Sequence, residues 1–308
     1  MRSMIALLVL IGAVFSQAAL ARPLVLVSIE PVALLVREIC DQECEVRTIL
    51  PKGVSEHSWQ PGPKDMIAAK EAVAVIAVGL DFDNRWMRKL AVPTARVLWL
   101  GPELSPMGWW SDDLASGHAP ARNAKEDHHG HKHEHHSHGQ MDPHIWTDAA
   151  RMSKAAGLIA AHLLKSRAVA GNHADSRAKA IHDRLVKLDV MVDDKRRSWQ
   201  VRPVVVFHDM VGYFARRFNL PVLAVATGAS GHDLSAKMIA DVHRRFAGIK
   251  IAGIFVDHED GASRNLAREL KVPVRSFDFA AVKSYKNYDE WFTEFVASWE
   301  QLLGRPSP

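Results

Sequence analysis

What most limits the fold of this 308-residue chain is a rhythm in which short β-rich apolar runs alternate with helical segments, first over residues 23–100 and again over residues 203–303. Strand patterns at 23–29, 44–50, 73–78 and 95–100 enclose helical patterns at 31–40, 63–72 and 82–91. The later half repeats the plan, with strands at 203–207, 221–226, 251–256 and 272–277 and helices at 210–218, 234–246, 262–270 and 287–303. Such alternation implies parallel pairing, and the near-continuous apolar runs suit strands covered by helices on both faces. Between the halves lie a helical region at 147–165, a break at Gly171-Asn172, and a helix at 174–199 on which Ile181, Leu185, Leu188 and Val192 recur at helical spacing. Roughly seven turns long, that helix can cross between two domains. The expected fold class is α/β: two domains with mainly parallel sheets joined by a single long helix, with ligands bound beyond the carboxyl ends of the strands.

The first residues set the address. A positive start at Arg2, an apolar run from Ile5 to Phe15 and small residues at Ala18, Ala19 and Ala21 read as a secretory signal peptide over residues 1–21. No later stretch approaches the ~18 to 20 apolar residues that a membrane-spanning helix needs, so the mature chain is expected to be soluble outside the cytoplasm. The remainder divides into an N-terminal domain at 22–172, a linking helix at 173–200 and a C-terminal domain at 201–308. Both have the length to build hydrophobic cores without covalent help. The two cysteines, Cys40 and Cys44, flank a turn between a helix and a strand, and in an oxidising compartment a local disulfide is expected there. The formal charge of +4 is spread over helices with Asp and Glu interspersed. Nucleic-acid binding wants a clustered basic face with stacking aromatics, and that pattern is missing.

From Gly101 to Gln140 the rhythm stops and the chain turns rich in Gly, Pro, Ser, Asp and His. It ends on Met141-Asp142-Pro143-His144-Ile145-Trp146-Thr147-Asp148. Pro143 fixes its own φ and biases Asp142 towards extended backbone, while Thr147 or Asp148 can cap the following helix, so His144 is presented on a rigid corner. Two further histidines follow strand ends: His57, in Ser55-Glu56-His57-Ser58-Trp59, and His208, in Val206-Phe207-His208-Asp209. Three imidazoles from three loops, two in the first half and one in the second, form a donor set that suits zinc. The fourth ligand has two candidates, Glu56 beside His57 and Asp278 after the strand at 272–277. Three imidazoles with one carboxylate favour zinc, whereas more oxygen donors would favour manganese. Asp142 and Asp209 are candidate acceptors that orient the imidazoles.

With Ser55-Glu56-His57, Asp142-Pro143-His144-Ile145-Trp146, His208 followed by Tyr213-Phe214, and a His-rich insertion ahead of Asp142, the chain resembles the periplasmic metal-binding proteins of ABC transporters that serve zinc and manganese uptake, in their ZnuA-like zinc branch. The resemblance covers essentially the whole mature chain. It implies two domains joined by a long helix, a metal in the interdomain cleft, His57, His144 and His208 as ligands, and Glu56 or a water as the fourth. It further implies a monomeric, non-enzymatic carrier in the periplasm, which takes zinc as its transported ligand and partners an inner-membrane ABC permease. An auxiliary periplasmic zinc chaperone is a further candidate partner, and a manganese- or iron-binding protein of the same family is the alternative. Two departures stand out. Relatives often carry Asp-Pro-Leu-Gly where this chain has Asp278-Phe279-Ala280-Ala281, which weakens the case for Asp278. The disulfide often found in the second domain of the zinc branch has no counterpart, since both cysteines lie in the first.

The insertion, spanning 118–138, carries His128, His129, His131, His133, His135, His136 and His138. Such composition cannot build a core, and its clustered imidazoles are expected to bind zinc weakly at several stoichiometries. Three His with an open fourth position is also the ligand set of a zinc hydrolase. That chemistry needs a proton acceptor beside the metal, and no His-Glu-x-x-His motif supplies one.

Overall fold

A computed structural model of the chain describes residues 21–54, 56, 59–108, 141–171, 173–224, 248–281 and 283–304. Residues 1–20 of the expected signal peptide, His57, the His-rich run and the helix expected at 234–246 lie outside the described residues.

Two four-stranded sheets follow one plan. In the first, β1 (Leu24–Val27), β2 (Glu45–Thr48), β3 (Ala74–Ala77) and β4 (Val97–Trp99) are ordered β2-β1-β3-β4, every pair parallel, with Leu26 opposite both Arg47 and Val75. In the second, β5 (Val204–Val206), β6 (Val222–Ala224), β7 (Gly253–Val256) and β8 (Val274–Ser276) are ordered β6-β5-β7-β8, again all parallel. The direction of strand order reverses between β1 and β3 in one sheet and between β5 and β7 in the other, so the crevices of these sheets open at the carboxyl ends of those strands.

Only the central strands match the expectation of full cover. β1 and β3 are buried throughout, whereas β2 alternates exposed Glu45 and Arg47 with half-buried Val46 and Thr48. An edge strand has a neighbour on one side only, and charged residues there also discourage further pairing. The last strand of the first sheet is shorter than expected, since Thr94–Arg96 forms a 3₁₀ turn before it and Leu100 already begins a helical turn. Pro102 fits that turn because the first helical N–H groups need no internal partner.

The helices of the first half are α1 (Glu30–Cys40), α2 (Pro63–Glu71), α3 (Asn84–Leu90) and the short α4 (Leu100–Glu103). The Cys40–Cys44 disulfide closes the turn from α1 to β2, with its Cα atoms 5.5 Å apart. Then come α5 (Ala149–Lys165) and the 24-residue α6 (His173–Arg196), which pack along each other. Asp148 caps α5, accepting from the N–H groups of Ala150 and Arg151, while Thr147 completes a 3₁₀ turn. Ile181, Leu185, Leu188 and Val192 of α6 are all buried, as their spacing requires. The second half adds α7 (Gly212–Arg217), α8 (Gly261–Leu270) and α9 (Tyr288–Leu303), the last capped by Asn287. No helix among the described residues is long and apolar enough to cross a membrane.

One hydrophobic core runs through both halves, with a smaller cluster on the far face of the second sheet. Alternate residues of β5 divide between them: Val204 and Val206 face the main core, Val205 the smaller cluster under α8. α9 supplies much of the second half's packing, with Phe214 against Phe295 at 4.7 Å and Phe255 against Trp299 at 4.9 Å between ring centroids. Its end lies so close to β7 that a side chain at Gly253 would meet Leu302 at 2.5 Å and the Pro273 carbonyl at 2.9 Å. α9 also touches α1 of the first half. Arg184 of α6 ties these two helices together: Nε and Nη2 hold the Asp289 carboxylate of α9 at 2.5 and 3.1 Å, and Nη2 holds Glu38 of α1 at 2.7 Å.

Candidate metal centre

The corner at 142–146 is built on Asp142, whose side chain is fully buried. Its Oδ1 accepts the backbone N–H of His144 at 2.9 Å and lies 2.8 Å from the same residue's ring Nδ1. One carboxylate oxygen thereby fixes both the backbone and the imidazole of His144. Turned away from that carboxylate is Nε2, the nitrogen through which this imidazole would bind a metal. Pro143 and the 3₁₀ turn Ile145–Thr147 hold the bend, with the Thr147 hydroxyl donating to the His144 carbonyl at 2.9 Å.

Burial pushes the Asp142 carboxyl up to about 7, against the opposing pull of the His144 N–H and the positive charges of Arg216 and Arg151. Its second oxygen is buried with no hydrogen-bond partner among the described residues. A carboxylate so placed needs positive charge nearby, and a cation on His144 would supply it through the ring.

His208 follows β5 at the crevice of the second sheet and is half-buried. Its ring stands perpendicular to that of His144, with centroids 5.3 Å apart. Zinc–imidazole bonds of about 2.0–2.1 Å put a ring centroid about 3.2 Å from the ion, so two rings at a tetrahedral angle lie about 5.2 Å apart. The observed pair has that separation. Perpendicular rings at this distance also attract edge to face, which holds the imidazoles together independently of any ion.

The first half contributes a wall of rings. Phe82, in the loop after β3, lies 6.5 Å from His144 and 5.4 Å from Trp146, while Trp146 lies 5.1 Å from His144. The series continues from Phe82 to Trp86 at 5.6 Å and from Trp86 to Trp59 at 5.1 Å. Trp59 sits in the loop of Glu56, whose backbone carbonyl accepts from Arg85 at 3.5 Å; Lys89 holds Gln60 in the same loop. Phe82 itself is aimed by Asp83, a buried carboxylate that accepts the N–H groups of Val78 at 2.7 Å and Gly79 at 2.9 Å.

Two tyrosines from the second half dock on the corner's backbone. The Tyr213 hydroxyl donates to the Asp142 carbonyl at 2.6 Å, and the Tyr288 hydroxyl donates to the Trp146 carbonyl at 2.8 Å. Sequence reasoning assigned neither hydroxyl a role, nor did it single out Phe82. A sequence pattern carries no sign of such contacts, because the partners are 71 and 142 positions apart.

Of the expected ligands, His144 and His208 are brought together from opposite halves. Asp278 is engaged locally: Oδ2 accepts from the Lys283 N–H at 2.8 Å and its carbonyl from Trp291 Nε1 at 3.1 Å. Among the described residues no group of three or more His, Cys, Asp or Glu side chains that could hold a metal is found. Asp142 fills the orienting role expected of it.

The family model described as the zinc-uptake complex component A, periplasmic (ZnuA), matches residues 25–300. The high-affinity zinc uptake system protein ZnuA of Yersinia pestis is 26% identical over 215 residues, which cover 66% of this chain and 65% of that protein's length. A crystal structure of ZnuA superposes with a TM-score of 0.72 at 20% identity, covering 91% of this chain and 97% of the other. A Mn-bound periplasmic metal-binding protein from Candidatus Liberibacter asiaticus gives a TM-score of 0.70 at 15% identity, covering 91% and 98%. At such identities the solved structures bear on the fold, and both share it. With a family match that runs from the first strand into the last helix, this chain belongs to the ZnuA family.

Proposed function

We propose that this protein captures zinc in the periplasm and delivers it to an inner-membrane ABC permease. His57, His144 and His208 are the ligands in this reading, with Glu56, Asp278 or a water as the fourth, and Asp142 orients His144. The observation that carries it is the pair of imidazoles, one from each half, at the separation of two ligands on a tetrahedral ion. The ZnuA match and the names of the relatives support zinc as the cargo, while the Mn-bound neighbour keeps manganese as the alternative. Histidine nitrogens favour zinc in that choice, since manganese prefers oxygen donors. The domains divide at 22–172 and 201–308, with the helix at 173–200 between them and the signal peptide removed after residue 21. The histidines of 118–138 act as a separate, weaker zinc store.

The test is a competition titration of the mature, metal-stripped protein against a chelator, with zinc and manganese in parallel. One tight zinc per chain, displaced poorly by manganese and accompanied by no hydrolytic turnover, is the expected result. Tighter manganese than zinc would overturn the assignment of cargo, and failure to bind either ion would overturn the site.

A further inference from the structure

Tyr213 is fully buried, yet its hydroxyl has two partners, neither of them on its own half of the chain. It accepts the N–H of Met107 at 3.2 Å and donates to the carbonyl of Asp142 at 2.6 Å. Those residues are themselves joined, the Asp142 N–H donating to the Met107 carbonyl at 2.8 Å. The tyrosine ring is held from above by Arg151, whose guanidinium carbon lies 4.5 Å from the ring centroid. Arg151 in turn donates to the Leu104 and Ser105 carbonyls, each at 3.1 Å, and to Asp148 at the start of α5. The phenol is thus fixed on every side.

Tyr213 lies on α7, which follows β5 directly, and His208 lies in the short connection between the two. One β5–α7 unit therefore meets the Asp142–His144 corner at two points: the hydroxyl on the Asp142 carbonyl, and the His208 ring against the His144 ring. With the hydroxyl bond made, that bond and the ring contact close a loop that sets the spacing of the imidazoles. Without it, the unit still meets the corner through the ring contact, the Arg151–Tyr213 stacking and the Arg217–Asp148 pair at 3.9 Å, none of which fixes the Asp142 carbonyl.

We infer that Tyr213 is a positioning residue for the metal centre, its hydroxyl setting the distance between His208 and His144 across the two halves. The inference rests on the functional reading above, in which both histidines bind the same ion.

The test uses Tyr213→Phe in the full mature chain, which removes one oxygen and keeps the ring. Zinc affinity, read by chelator competition, should fall about tenfold, the equivalent of one buried hydrogen bond, with faster zinc release. Incorporation of 3-fluorotyrosine at 213 keeps the oxygen and should restore wild-type affinity. In a His208→Ala background, Tyr213→Phe should have no further effect on the residual affinity, because the distance it sets no longer matters. A Tyr213→Phe protein within threefold of wild type would overturn the inference and leave the functional reading standing. Equal losses with and without His208 would also overturn it, as the mark of a general weakening of the corner. A wild-type protein that binds no stoichiometric zinc would instead bring down the functional reading, and this inference with it.

Discussion

Asp142→Asn separates the two demands placed on the buried carboxylate. In the wild type, Oδ1 takes two bonds from His144 at 2.9 and 2.8 Å inside a fully buried site. A bond to an ionised acceptor is worth ~1.5–3 kcal/mol and a neutral one ~0.5–1.5, so replacing the carboxylate by an amide removes ~1–2 kcal/mol of support for the ring in its ligand orientation. That corresponds to about 5- to 30-fold weaker zinc binding, within the ~10- to 100-fold range for loss of a group that orients a metal-bound histidine. Stability of the metal-free protein should move the other way. Burial raises the Asp142 carboxyl to about 7, so its stability contribution is complete below the unfolded value near 4 and is lost as pH rises through about 7. Asparagine does not titrate, so the metal-free variant should gain stability relative to the wild type between pH 5 and pH 8. Chelator competition at pH 7.5, paired with urea unfolding of metal-free protein at pH 5 and pH 8, measures both. Unchanged zinc affinity would refute the orienting role, and a variant less stable at pH 8 than at pH 5, relative to wild type, would refute the charge argument.

His208→Ala should weaken zinc binding far more than Asp278→Asn, since Asp278 already serves the Lys283 N–H and the turn before α9; equal losses in the same titration would point to a carboxylate-rich site and favour manganese. Asp83, raised by burial to about 6 despite its bonds to Gly79, Ser28 and Val78, stabilises fully below pH 4 and loses that contribution as pH rises through 6. Against Asp83→Asn, wild-type stability in urea should therefore fall by roughly 2–3 kcal/mol between pH 4 and pH 7, and a pH-independent difference would count against it. Deleting residues 127–138 should remove weak zinc sites in calorimetry and leave one tight site; loss of the tight site would mean that the run supplies a primary ligand.

Much of this architecture is legible in the chain because it is local. The strands announce themselves by β-branched runs, the stripe of Ile181, Leu185, Leu188 and Val192 marks the buried face of α6, and Asp142-Pro143-His144 carries its own bend. His208 could be picked out because it follows a strand where a parallel sheet opens, and His144 because the Asp142-Pro143 corner presents it. What could not be read is whatever depends on a neighbour distant in sequence. Exposed Glu45 and Arg47 mark an edge only once the order β2-β1-β3-β4 is known. Tyr213 and Tyr288 look like core aromatics until tertiary packing sets a carbonyl against each hydroxyl. The choice of Asp148 over Thr147 as the cap of α5 turned on where one 3₁₀ turn ended, which propensity does not decide.

Gly108 and Met141 face each other in an antiparallel bridge beside the Met107–Asp142 bond. Two backbones distant in sequence thus meet in one doorway, closed by their own pairing. The corner at 142–146 starts from that doorway, held at its first residue by Met107. A bridge that holds residues 108 and 141 together makes the corner's position a property of that pairing and not of the sequence that separates them.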